Sequence, residues 1–122
     1  MEKDNKKIVA VVGSRSVAHC PTLLARLDGL RAAGELDQVV SGGATGVDTL
    51  AAGWARRAGV DLLELRPDYA THGSAAPHVR NAEIVRRAAL VLVVWDGKSK
   101  GTLSTLRAAR RLGRPCELLP LD

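Results

Sequence analysis

The fold class is decided by residues 38–58, QVVSGGATGVDTLAAGWARRA. The segment 38–41 reads as a short strand with Val39 and Val40 at its centre, and a turn with three glycines follows it. Beyond the turn, apolar residues recur at the spacing of one helix face: Val47, Leu50, Ala51, Trp54, Ala55 and Ala58. Gly59 is placed to end that helix. A strand, a glycine-rich turn and a helix form the repeating unit of parallel α/β sheets.

The same alternation extends to both sides of this unit. A β-branched run predicts a first strand over residues 8–12, and a helix follows Pro21 and stops at Gly34. Downstream, the pattern predicts strands over 61–65, 90–95 and 116–119, helices over 78–88 and 102–112, and a long loop over 66–77. We therefore predict an α/β fold. It is a single Rossmann-like three-layer domain over residues 1–122, with a five-stranded parallel sheet and helices on both faces.

Composition places the chain among ordinary globular proteins. It has 122 residues, 46% hydrophobic and 25% charged, with a formal net charge of +5. The arginines are scattered over several predicted helices, so a solvated basic surface explains the charge as simply as a polyanionic partner does.

The cysteines and the N-terminus bear on metal binding and location. Cys20 and Cys116 lack the spacing of metal ligands, so we expect no metal site and two buried free thiols in a reducing compartment. The N-terminal MEKDNKK precedes only five apolar residues, too few for a signal peptide or a membrane span. The expected location is cytoplasmic, with no membrane partner.

Candidate binding residues follow the strands, because ligands of open parallel sheets sit at the carboxyl ends of the strands. After the first strand come Gly13, Ser14 and Arg15. Gly13 allows a sharp turn and the close approach of a ligand, Ser14 offers a hydroxyl, and Arg15 offers a bidentate fork for a phosphate or carboxylate. The alternative is a loop with an exposed arginine.

The turn after the second strand is the strongest local signal. Its candidate ligand-binding residues directly precede or open a helix: Ser41, Gly42, Gly43, Ala44, Thr45, Gly46 and Asp48. Small residues leave several N–H groups free to face one spot, and the helix N-terminus adds partial positive charge, so a phosphate would be stabilised there. The turn matches neither a Walker loop nor a GxGxxG fingerprint. Thr45 or Asp48 could cap the helix, Asp48 could instead bind a ribose hydroxyl, or the turn could hold no ligand.

The turn after the fourth strand is a second candidate anion site. Its candidate residues again combine glycines and hydroxyls before a helix: Trp95, Asp96, Gly97, Ser99, Gly101 and Thr102. Lys98 and Lys100 raise the local positive potential. Trp95 could stack on a base or fill the core, and Asp96 could accept from a base or sugar or cap the turn. Arg80 and Asn81 open the preceding helix and could reach the same cleft.

Together these segments resemble the YspA-type, cpYpsA-related branch of the SLOG superfamily, and the likeness covers nearly the whole chain. The superfamily groups Rossmann-like proteins that include LOG phosphoribohydrolases, the single-strand DNA binder DprA, molybdenum-cofactor carriers and sensors of NAD-derived signals. The resemblance implies a nucleotide-type ligand held by the glycine-rich loops of a bacterial or phage protein. Gly101 and Thr102 match the start of the GGxGTxxE motif of LOG enzymes, but the position of its catalytic Glu holds Thr105. This departure disfavours LOG-type hydrolysis.

Three functions remain open. The favoured one is binding or sensing of a nucleotide or nucleotide-derived small molecule, without catalysis and without a required cofactor. The second is phosphoribohydrolase-like cleavage of the N-glycosidic bond in a nucleoside monophosphate, with Asp48, Glu83 or Asp96 as the carboxylate. The third is single-stranded nucleic-acid binding of the DprA kind. It is motivated by four arginines spaced along one helix face, Arg107, Arg110, Arg111 and Arg114. A homodimer or higher homo-oligomer is a further expectation.

Overall fold

The computed structural model describes residues 7–121, in which five strands form one parallel sheet. The strands are β1 (Ile8–Gly13), β2 (Gln38–Ser41), β3 (Asp61–Glu64), β4 (Leu90–Val94) and β5 (Cys116–Leu119). The helices are α1 (Pro21–Ala32), α2 (Val47–Ala58), α3 (Tyr69–His72), α4 (Ala76–Arg87) and α5 (Lys100–Leu112). The strand order is β3-β2-β1-β4-β5, and every strand pair is parallel.

Both faces of the sheet are covered, which explains why the central strands are almost continuously apolar. On one face, α1 and α2 pack onto the sheet through Leu23, Leu27 and Trp54, and the Trp54 indole donates a 2.8 Å hydrogen bond to Asp28. On the other face, α4 and α5 contribute a second core cluster around Ile84. The predicted three-layer α/β fold with a five-stranded parallel sheet is confirmed.

The topology creates a crevice beside β1. The chain runs from β1 outward through β2 to β3, and then returns to place β4 on the other side of β1. At this reversal of strand order, the two connecting loops diverge to opposite faces and leave a hollow at the carboxyl ends of the strands. The Ser14 amide donates to the Val94 carbonyl at 3.0 Å, and this bond joins the ends of β1 and β4.

Two sequence expectations were wrong. Residues 66–77 are not one irregular loop: they contain α3, whose first turn is capped by Asp68, a 3-10 turn over Gly73–Ala75, and the start of α4. The capping carboxylate and Pro77 in the first turn of α4 favour these helical turns. Of the two cysteines, Cys20 is buried but Cys116 is exposed, because β5 is an edge strand. Among the helices of residues 7–121, none is long and apolar enough to cross a membrane.

Candidate functional site

A cleft of about 400 Å³ opens at the β1–β4 reversal, within the size range of small-molecule sites. Eleven of the eighteen candidate residues line it: Gly13, Arg15, Gly42, Ala44, Asp48, Arg80, Asn81, Asp96, Ser99, Gly101 and Thr102. The other seven lie outside its lining: Ser14, Ser41, Gly43, Thr45, Gly46, Trp95 and Gly97. The structure thus brings the loops after β1, β2 and β4 and the start of α4 to one hollow.

Five lining residues were absent from the sequence-based set: Val12, Ser16, Pro77, Ile84 and Thr105. Helical spacing is the signal that could have found three of them. Pro77 and Ile84 lie one turn before and after the predicted pair on α4, and Thr105 lies four residues after Gly101 on α5. Residues one turn apart share a helix face, so a face that reaches the cleft brings its neighbours with it.

The β1–α1 loop is joined to the β4–α5 loop. The Ser14 hydroxyl, which is buried, accepts a hydrogen bond from the Asp96 amide at 3.0 Å, and the Ser16 hydroxyl donates to Asp96 Oδ2 at 3.0 Å. A Cβ at Gly13 would meet the Val94 carbonyl and lie 2.5 Å from Cγ2 of Val47. Close packing therefore requires glycine at this position.

The β2–α2 loop is closed by its own carboxylate. Asp48 Oδ2 accepts the amide hydrogens of Gly42 and Ala44, each at 3.1 Å. The N-cap of α2 is Gly46, which has no side-chain cap, so the prediction that Thr45 or Asp48 caps this helix is wrong. Asp48 lies inside the first turn and reaches back to the loop. Two of the N–H groups that we expected to face a phosphate thus already have an anionic partner.

Arg80 braces the same loop from α4. Its Nη1 donates to the carbonyls of Gly42 at 3.1 Å and Leu65 at 3.2 Å, and its Nε donates to Asn81 Oδ1 at 2.8 Å. Burial lowers the pKa of Arg80, while the nearby Asp48 acts in the opposite direction. For Asp48, burial is the largest effect and raises the pKa, although the two amide hydrogen bonds oppose it. The loop is therefore held by a buried carboxylate beside a half-buried guanidinium.

The β4–α5 loop has a different arrangement. Asp96 Oδ1 accepts from the amides of Lys98 at 2.8 Å and Ser99 at 3.0 Å, and these bonds lower the pKa of Asp96 to about 2. The Ser99 hydroxyl caps α5 by accepting from the Thr102 amide at 3.3 Å. A Cβ at Gly101 would meet no atom within 4 Å. Gly101, in the first turn of α5, is exposed and lines the cleft.

Trp95 anchors this loop. Its indole N–H donates to the Ser99 carbonyl at 2.9 Å, and its half-buried ring packs against the core cluster beneath α4 and α5. Of the two roles that the sequence allowed, core filling agrees with these contacts. Trp95 is not among the residues that line the cleft.

Only two of the three carboxylates considered for hydrolysis line the cleft. Asp48 and Asp96 line the cleft, but Glu83 forms ion pairs with Arg86 and Arg87 and is not among the lining residues. Thr105 is buried, and its hydroxyl donates to the Gly101 carbonyl at 3.3 Å. Over residues 7–121, no group of three or more His, Cys, Asp or Glu side chains could hold a metal ion.

The fold and the three converging loops define a Rossmann-like domain of the SLOG superfamily. The family model YAcAr, described as the YspA, cpYpsA-related SLOG family, matches residues 7–72. The chain belongs to this family, as its motifs indicated.

A relative and two solved structures are similar to the chain. Gene 61 protein of Mycobacterium phage D29 is 41% identical over 83 residues, which cover 63% of this chain and 66% of that protein. DNA processing protein A (DprA) of Streptococcus pneumoniae shares the fold with a TM-score of 0.73 and 24% identity, over 98% of this chain and 52% of its own. DprA of Helicobacter pylori, studied for its single-stranded DNA binding mode, has a TM-score of 0.71 and 23% identity, over 98% of this chain and 67% of its own. The chain thus spans about half to two thirds of these proteins.

Proposed function

We propose that the cleft binds a nucleotide or a nucleotide-derived small molecule, with a phosphate over the first turn of α5. The observation that carries this proposal is the open position at Gly101, where a helix N-terminus faces a cleft that Arg15 also lines. Amides of a first helical turn and a guanidinium both bind phosphate well, the first through N–H groups and the helix dipole and the second through two parallel hydrogen bonds. Arg15 is exposed and forms no ion pair within residues 7–121, so its fork is available.

Sugar hydroxyls fit the other side of the cleft. The Asp48 carboxylate lines the hollow, and the two amides that it binds contact only Oδ2, which leaves Oδ1 without a hydrogen bond among the described residues. A carboxylate oxygen accepts hydrogen bonds and repels phosphate, so its natural partner in a nucleotide is a hydroxyl donor. The proposed ligand therefore lies with its phosphate toward α5 and its sugar toward α2.

Isothermal titration calorimetry tests the proposal with a panel of mononucleotides, NAD and ADP-ribose, each compared with the matching nucleoside. We expect binding that requires the phosphate, and a loss of about tenfold or more in affinity for Arg15→Gln, as expected for a charge-assisted contact. Arg57→Gln, in the last turn of α2 and outside the cleft lining, removes the same charge and serves as the control. A folded protein that binds no phosphorylated compound, or binds nucleoside and nucleotide equally, would overturn the proposal.

We propose binding without catalysis, because Thr105 cannot act as the carboxylate of a LOG-type site. The same titrations test this when ligand and product are separated by chromatography after prolonged incubation. Intact nucleotide is the expected result. Release of free base by the wild-type protein but not by Asp96→Ala would instead assign an N-glycosidic hydrolase.

The second candidate is single-stranded nucleic-acid binding, favoured by the fold shared with DprA of H. pylori, whose single-stranded DNA binding mode has been studied. Filter binding of an oligonucleotide at low and high salt tests it, because strand binding must weaken steeply with salt. No retention at low salt would exclude it.

A further inference from the structure

A second hollow lies along α5 on the side that faces α4, and we name it the α4–α5 groove. It has a volume of about 540 Å³ and is lined by His78, Lys100, Leu103, Ser104, Arg107, Ala108 and Arg111. Three of these residues are cations and none is acidic. The first cleft differs, because two carboxylates, Asp48 and Asp96, line it as well as two arginines.

The groove lies next to the cleft of the candidate functional site, and residues that line the two are hydrogen-bonded to each other. Asn81, a buried residue of the cleft lining, donates to the Ser104 hydroxyl at 3.4 Å, and His78 Nδ1 lies 2.9 Å from the same hydroxyl. Gly101 faces the cleft while its neighbour Lys100 faces the groove. The cleft and the groove therefore meet at the start of α5.

The four arginines that the sequence placed on one helix face divide between different surroundings. Arg107 and Arg111 line the groove. Arg107 also lines a neighbouring hollow beside β5, together with Arg110 and Arg114. Arg114 lies beyond the end of α5, and its guanidinium donates to the carbonyls of Val85 and Arg86 near the end of α4. Arg107 and Arg111 are exposed and form no ion pair among the residues that the structure describes. These two arginines, with Lys100, are unneutralised positive charges along one line.

We propose that the α4–α5 groove is a second anion subsite, which binds a phosphodiester-linked extension of the nucleotide held in the cleft. This inference rests on the proposed function and narrows its ligand to a molecule longer than a mononucleotide. Each added phosphodiester carries a negative charge. The cations of the groove attract this charge, whereas Asp48 and Asp96 in the cleft repel it. At 1.5 Å per helical residue, Lys100 and Arg111 lie about 16 Å apart along the helix axis, so the groove accommodates more than one phosphate.

The test compares a mononucleotide, a 5′-phosphorylated dinucleotide and a 5′-phosphorylated hexanucleotide by calorimetry at several salt concentrations. The variant is Arg107→Gln/Arg111→Gln. Its control is Arg56→Gln/Arg57→Gln in the last turn of α2, which removes the same two charges elsewhere. We expect the groove variant to weaken dinucleotide binding about tenfold and to leave mononucleotide affinity unchanged. Its salt slope for the hexanucleotide should fall by about 0.7 per lost phosphate contact. A larger effect on the hexanucleotide than on the dinucleotide would identify a strand as the source of the extension.

Each other outcome overturns the inference in a distinguishable way. Equal affinity of the wild-type protein for mononucleotide and dinucleotide removes the second subsite but leaves the proposed function intact. Equal losses for all three ligands in the groove and control variants would show a general charge effect. If Arg15→Gln did not weaken the binding of the longer ligands, these ligands would bind the groove without occupying the cleft. If no ligand bound at all, both the proposed function and this inference would be wrong.

Discussion

The β2–α2 loop and the β4–α5 loop have the same plan, a glycine-containing turn between a buried strand and a helix, but they end in different states. In the first loop, Asp48 lies within the first turn of α2 and accepts hydrogen bonds from the preceding amides of Gly42 and Ala44. In the second, Asp96 precedes the helix and takes the amides of Lys98 and Ser99, which leaves the helical turn at Gly101 open. The position of the carboxylate relative to the helix start therefore decides which loop amides it accepts.

The number of glycines is therefore a poor guide to how much free space a turn leaves. The β2–α2 loop has more glycines, yet two of them serve the fold: Gly46 has a φ of 77° and crosses the β1–α1 loop, and a Cβ at Gly42 would lie 2.7 Å from Arg80 Nη1. The single glycine at the start of α5 has free space around it. Glycine next to protein atoms indicates packing, and glycine next to empty space is compatible with a ligand.

The largest expected effect distinguishes these two kinds of glycine. In Gly46→Ala, the new Cβ would meet the Ser14 carbonyl and lie 2.5 Å from the Arg15 carbonyl oxygen, in a left-handed conformation. We expect a loss of about 3 kcal/mol in the free energy of unfolding and a fall of roughly 10–15 °C in Tm. Gly101→Ala should instead raise stability by up to about 1 kcal/mol, as alanine does in a helix, and weaken nucleotide binding. Thermal and urea unfolding measure both, and equal destabilisation would contradict the distinction.

The next effect concerns the carboxylate that closes the first loop. Asp48→Ala removes the acceptor of two amides in a buried position, and we expect a loss of about 2 kcal/mol or more. Asp48→Asn keeps one acceptor oxygen and should lose roughly half as much. Urea unfolding at neutral pH measures both variants. Equal stability of wild type and Asp48→Ala would show that the loop amides do not depend on this carboxylate.

A third prediction uses the opposite pKa shifts of the two aspartates. Because the pKa of Asp48 is raised above 3.8, its ionised form is penalised in the fold, so wild type should gain stability relative to Asp48→Asn as the pH falls from neutral toward 3.8. Because the pKa of Asp96 is lowered to about 2, wild type should lose its advantage over Asp96→Asn between pH 3.8 and about 2. Tm measured against pH for the three proteins tests this. Parallel curves for both variants would contradict the assigned environments.

The sequence was sufficient for the fold because the five strands and the four longer helices carry their own apolar patterns, and glycines mark several of their ends, whereas the short helix α3 was missed. It also located the three loops, since the carboxyl ends of parallel strands must share an edge. It could not show that Asp48 points back to Gly42 or that Val47 fills the space at Gly13, because these contacts depend on how the loops pack against each other. The hydrogen bonds of Arg114 to carbonyls near the end of α4 were likewise hidden, since they depend on where α5 ends.

The smallest expected effect tests capping in the two loops. Ser99→Ala removes the hydroxyl that accepts from the Thr102 amide, and loss of such a cap costs about 1 kcal/mol. Thr45→Ala removes a hydroxyl one residue before the N-cap of α2, but that helix has no side-chain cap, so stability should change by less than about 0.5 kcal/mol. Urea unfolding resolves this difference when the two variants are measured together. If Thr45→Ala were the more costly change, the Thr45 hydroxyl would cap α2 in solution. The amides at the start of α2 would then be less available to a phosphate than those of α5, in addition to the loop amides that Asp48 already binds.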